Sequence, residues 1–125
     1  MADTETIIET CAKYAEEIQA EDIVVLDLRG ISTIADYFLI CTGTSMPHLK
    51  AIRRDISEKV EEEIGERPRS VDGKADSLWM VLDYVDVVVH IFHKDTRSVY
   101  ALEDLWSDAP RVDYDFLTRG ETAEA

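Results

Sequence analysis

With 125 residues the chain has the length of one domain, and 46% hydrophobic residues suit a packed core better than a disordered segment. Its formal net charge of −14, from 13 Lys and Arg against 27 Asp and Glu, argues against a direct binder of nucleic-acid phosphates; it suits a partner that carries positive charge, and plain solubility or a salt-adapted host would give the same bias. No apolar run reaches the ~20 residues of a membrane span, and the acidic start, Met1 to Thr6, leads into no signal-type stretch, so a soluble cytoplasmic protein is expected.

Ile7, Ile8, Cys11, Ala15 and Ile18 recur at helical spacing and predict an amphipathic helix from Thr4 to Gln19, capped by Asp3 or Thr4. The β-branched run Ile23 to Leu28, closed by Arg29-Gly30, predicts a strand. Tyr37 to Thr42 predicts a second strand, apolar enough to be covered on both faces. Gly43-Thr44-Ser45 ends it. Ser45 and Pro47 open a long helix that carries Leu49, Ile52, Ile56, Val60 and Ile64, and Gly65 and Pro68 close that helix. Leu78–Tyr84 and Val87–Phe92 lie close enough across Val85-Asp86 to form a hairpin, and a last short helix is expected over Ser98–Trp106. The order α-β-β-α-β-β-α places the chain in the α/β (α+β) class, with a single mixed sheet and helices packed on it. Residues 1–109 form the domain, and the acidic stretch 110–125 is expected to fray as a flexible tail.

Charge is concentrated at the ends. Residues 1–30 hold two basic and eight acidic groups and residues 95–125 hold three and eight, which leaves only −3 for the middle. Cys11 and Cys41 each sit inside an apolar periodic segment rather than in a CxxC pair, and read as reduced core thiols.

The signals for catalysis are thin. Thr42 to Ser45 has the form of a small anion nest at a helix start, without the glycine spacing of a nucleotide-binding loop, so an ordinary capped turn fits as well. Asp83 and Asp86 invite a two-carboxylate metal site, but their i, i+3 spacing sends them to opposite faces of a strand. His48, His90 and His93 lack metal-ligand spacing and read as structural. No metal or cofactor is expected. Alternation on Leu78–Tyr84 puts Trp79, Val81 and Asp83 on one face and Leu78, Met80, Leu82 and Tyr84 on the other. A Trp beside a carboxylate is a common interface anchor, and a Trp buried beneath a helix is the plainer alternative.

Two blocks of residues carry a family resemblance. Ala35-Asp36-Tyr37-Phe38 with Thr42-Gly43-Thr44-Ser45 and His48 forms the first. Asp72-Gly73, Trp79, Leu82-Asp83-Tyr84, Val88-Val89-His90, Arg97, Tyr100, Leu102-Glu103 and Leu105-Trp106 form the second. Together they resemble the ribosomal silencing factor (Iojap-like) family across residues 5–109. Asp72 stands where that family usually has Glu. The resemblance implies a nucleotidyltransferase-like topology without the catalytic carboxylates. It further implies a translational repressor that binds ribosomal protein L-fourteen on the large ribosomal subunit and sterically blocks joining of the small subunit when nutrients are short.

On that basis a non-enzymatic protein is expected. Trp79, Asp83 and Tyr84 form its docking surface, joined by Tyr100 and Leu102, and Asp36, Tyr37, Gly43, Ser45, His48, His90, Glu103 and Trp106 are signature residues. Trp79 and Tyr84 alternate on a regular strand, so only a bulge or the turn would bring both to one face. The rival is a nucleotidyltransferase-like enzyme using Gly43, Ser45, Asp83 and Asp86 on a nucleotide with Mg²⁺. A third reading is a self-associating scaffold, since members of the family are often dimeric and the same apolar patch would serve a homodimer.

Overall fold

The computed structural model describes residues 3–72, 78–100, 108–114 and 116, with 98–100 given by backbone alone. Along them run α1 (Thr4–Glu17), β1 (Glu21–Asp27), β2 (Tyr37–Gly43), α2 (Met46–Ile64), β3 (Ser70–Asp72), β4 (Trp79–Asp83), β5 (Val87–His93) and α3 (Lys94–Tyr100). The strands form one mixed sheet in the order β1-β2-β5-β4-β3. Only the β2–β5 pairing is parallel. The expected mixed sheet and the β4–β5 hairpin are both present.

Local chemistry sets the element ends. Asp3 accepts the Thr6 N–H at 2.8 Å and so caps α1. That helix stops at Glu17, two residues short of expectation, because Gln19 turns left-handed at φ 65°. Gly65, at φ 72°, ends α2, and its N–H donates to the Glu61 carbonyl. Lys94 rather than Ser98 begins α3, where the Thr96 hydroxyl donates to the carbonyls of His93 and Leu78 at 2.9 and 2.8 Å.

Both faces of the sheet are covered, unequally. Ile7, Ile8, Cys11, Ala12 and Ala15 of α1 and Leu49, Ile52, Ile56 and Val60 of α2 pack on Val25, Leu39, Cys41, Met80, Leu82, Val89 and Ile91. On the other face lies a smaller cluster of Leu26, Leu28, Ala35, Phe38, Ile40, Phe92 and Ala109, against which Val24, Trp79 and Val88 are only partly buried. Between them β2 is buried along its whole length, as its apolar run requires. Cys11 and Cys41 are free buried thiols. Burial pushes both pKa values up, that of Cys41 to about 12, so neither is an activated nucleophile.

The segment from Pro110 does not fray where expected. Asp27 N–H donates to the Pro110 carbonyl and Val112 N–H to the Val25 carbonyl, each at 2.9 Å, so this segment lines the outer edge of β1. Val112, Tyr114 and Phe116 then pack on the helix-side core. The fold therefore extends past residue 109.

Candidate docking site

The register of β4 on β5 builds the site. Trp79 pairs with Phe92, Val81 with His90 and Asp83 with Val88, with no bulge between. Met80 and Leu82 point into the helix-side core, while Trp79, Val81 and Asp83 stay half-buried on the opposite face. Tyr84 follows the alternation to the face opposite Trp79. It is 6% exposed in the helix-side core, burial raises its hydroxyl's pKa, and that hydroxyl has no hydrogen-bond partner among the described residues. An unbroken register leaves nothing to turn Tyr84 toward Trp79, so it is a core residue.

Around Trp79 the sheet face is aromatic. Its ring stacks on Phe92 at 5.2 Å and 19°, and lies 5.9 Å and 29° from His90. The Phe38 ring meets His90 edge-on at 4.7 Å and 67°. Trp79 Nε1–H donates to His90 Nδ1 at 3.3 Å, which fixes the proton of the neutral imidazole on Nε2. That Nε2 is buried without a partner among the described residues. Burial lowers the His90 pKa to about 4, so the ring is neutral at physiological pH.

Asp83 ends β4 in a bond that the sequence did not disclose. Its Oδ2 accepts from Arg69 Nη2 at 2.7 Å and its Oδ1 from the Val85 N–H at 2.8 Å. Burial alone would raise its pKa, but the Arg69 hydrogen bond, the Val85 N–H and the Arg69 charge together lower it. The Arg69 side chain is 64% exposed against 21% for Asp83, so the guanidinium is the outer member of the pair. Asp86 sits in the exposed turn, where its carbonyl accepts the N–H groups of Asp36 and Tyr37 at 2.8 and 3.1 Å. No group of three or more His, Cys, Asp or Glu residues that would hold a metal ion occurs among the described residues.

The βα turn that resembles an anion nest is filled from within. Thr44 N–H donates to His48 Nδ1 at 3.0 Å, and His48 N–H donates to Ser45 Oγ at 3.2 Å. His48 Nε2–H then donates to the Ile18 carbonyl at 3.1 Å, stapling the end of α1 to the start of α2. A Cβ on Gly43 would lie 3.1 Å from Leu49 Cδ2 and 3.3 Å from the Leu49 nitrogen, so the glycine serves the close approach of α2. Gly43, Ser45 and His48 thus account for one another structurally.

Two further signature residues, Asp36 and Tyr37, also join elements. The paired N–H groups of Asp36 and Tyr37 tie the start of β2 to the β4–β5 turn. Arg97 Nη1 donates to Thr42 Oγ1 at 2.6 Å and links α3 to β2. Gly73, Leu102, Glu103, Leu105 and Trp106 lie outside the described residues, as does the side chain of Tyr100.

A single mixed sheet with α1 and α2 on one face and a half-buried aromatic strip on the other defines a domain of the mixed α/β class. Over residues 1–125 the chain matches the profile described as "Ribosomal silencing factor during starvation". It is 46% identical over 111 residues to "Ribosomal silencing factor RsfS" of Bacillus subtilis, covering 89% of this chain and 93% of that one. With the protein of the same name from Halalkalibacterium halodurans it shares 41% over 107 residues, covering 86% and 91%. It is also 39% identical over 111 residues to "Protein Iojap, chloroplastic" of Zea mays, covering 86% of this chain and 46% of that one. A crystal structure of a Bacillus halodurans protein, 36% identical, superposes with a TM-score of 0.75 over 89% of this chain and 100% of that one. The chain belongs to the ribosomal silencing factor family.

Proposed function

We propose that this protein is a non-enzymatic translational repressor. It docks on ribosomal protein L-fourteen of the large ribosomal subunit through the open sheet face and thereby blocks joining of the small subunit. The observation that carries the reading is Trp79, a half-buried indole at the start of β4 on the sheet face opposite α1 and α2. Large amphipathic rings in such settings are the usual anchors of protein interfaces. Val81 and the Arg69–Asp83 pair flank it on the same side. Membership in the family supports the ribosome as target, and a net charge of −14 suits a basic ribosomal protein.

Tyr100 and Leu102 belong to the proposed surface by resemblance alone, and Tyr84 is excluded from it by burial. The nucleotidyltransferase reading has no support from the filled turn at Ser45 or from the separate settings of Asp83 and Asp86. The test is co-sedimentation of the purified protein with isolated large subunits, followed by addition of small subunits. The reading requires that the protein pellet with large subunits and that joined ribosomes decrease in proportion. Binding to small subunits alone, or undiminished joining at saturation, would contradict it.

A further inference from the structure

We infer that His90 is a positioning residue: its Nδ1 holds the Trp79 indole in the orientation that the docking partner meets. The inference rests on the docking reading above and adds a residue to it.

The register makes His90 a diagonal neighbour of Trp79 on one sheet face, since Val81 pairs with His90 and Trp79 with Phe92. The indole is then fixed by a stacked ring and by a hydrogen bond at 3.3 Å. His90 in turn is gripped by the edge of Phe38 at 4.7 Å and is 8% exposed.

Stability alone does not account for an imidazole there. With Nδ1 accepting from the indole, the proton sits on Nε2, and Nε2 is buried without a partner among the described residues. An unpaired buried donor is an energetic liability that a phenyl ring of similar shape would remove. What phenyl cannot supply is the acceptor at the Nδ1 position. Residues that carry a local liability of this kind are commonly retained for function. A Trp already held in its bound orientation loses less side-chain freedom on docking, which favours affinity.

Three full-length proteins test this: wild type, His90→Phe and His90→Asn. Each is followed by melting temperature, by solvent exchange of the ¹⁵N-labelled Trp79 indole proton, and by affinity for isolated large subunits. The chain has two Trp residues, and the Trp79 signal is the one that Trp79→Ala removes.

His90→Phe is expected to melt at or above the wild-type temperature. Its indole proton exchanges about tenfold faster, and it binds large subunits about tenfold more weakly, the loss expected for one hydrogen bond. His90→Asn, whose Oδ1 stands where Nδ1 stood, is expected to melt lower yet recover slow exchange and part of the affinity. An unchanged indole exchange rate in His90→Phe would overturn the inference, as would affinity that simply tracks melting temperature across the series. If Trp79→Ala itself binds normally, the docking reading fails, while the exchange rates still judge the His90–Trp79 bond on its own.

Discussion

His90 titrates near pH 4 in the fold and near 6.5 in an unfolded chain, and that difference ties stability to pH. Between those values the unfolded chain binds a proton that the buried ring refuses. Stability from this group is therefore complete above about pH 6.5, falls as the pH drops toward 4, and changes no further below that. Between pH 7 and 5 the loss amounts to about 2 kcal/mol, from about 1.4 kcal/mol per unit. The lowered carboxylates Asp27, Glu63 and Asp83 exert their own effect only below this window. Urea unfolding at pH 7 and pH 5 checks it: the wild type is expected to lose this stability and His90→Phe to keep it. Equal losses in both would remove His90 as the source. The sequence predicts that Trp79 and Tyr84 alternate, and it carries no metal-ligand spacing around His90. The bond between His90 and Trp79 was not legible, because it depends on the β4–β5 register, which the turn at Val85 and Asp86 sets. Arg69 was missed for a similar reason, since its partner Asp83 lies 14 residues away across a strand pair.

Elements announced by periodicity emerged where expected, and the weaker ones did not. Helices α1 and α2 carry several turns of apolar spacing, and β2 is an apolar run, so each was clear from its own residues. By contrast β3 has only Ser70, Val71 and Asp72, too few for alternation to register, and it exists because β4 offers an edge to pair with. The start of α3 was misplaced because Thr96 bonds to Leu78, a contact outside the local sequence. The Pro110 segment looked like a tail because its partner, β1, lies more than eighty residues earlier. His48 shows how a signature residue can serve assembly, through its bonds to Thr44 N–H and the Ile18 carbonyl. His48→Ala is expected to reduce stability by about 1–2 kcal/mol, the usual value of two partly exposed hydrogen bonds. Large-subunit affinity at low temperature should stay the same. A loss of affinity without a loss of stability would instead bring the βα turn into the interface.

Across the whole molecule, α1 and α2 pack on one side of the sheet and the aromatic strip lies on the other. A net charge of −14 gives the molecule a long-range field that a basic partner feels before contact. Association with large subunits is therefore expected to slow roughly tenfold as salt rises from about 0.05 to about 0.5 M, because screening shortens the reach of that field. Stopped-flow association rates check this, and a flat profile would remove steering from the account.

The central claim is that the open face carries the docking anchor, and Trp79→Ala tests it most directly. Co-sedimentation with isolated large subunits should show a loss of roughly 30-fold in affinity, from about 2 kcal/mol for a buried Trp anchor, while the variant remains folded at the assay temperature. A folded Trp79→Ala protein that still sediments with large subunits at wild-type affinity would contradict the account.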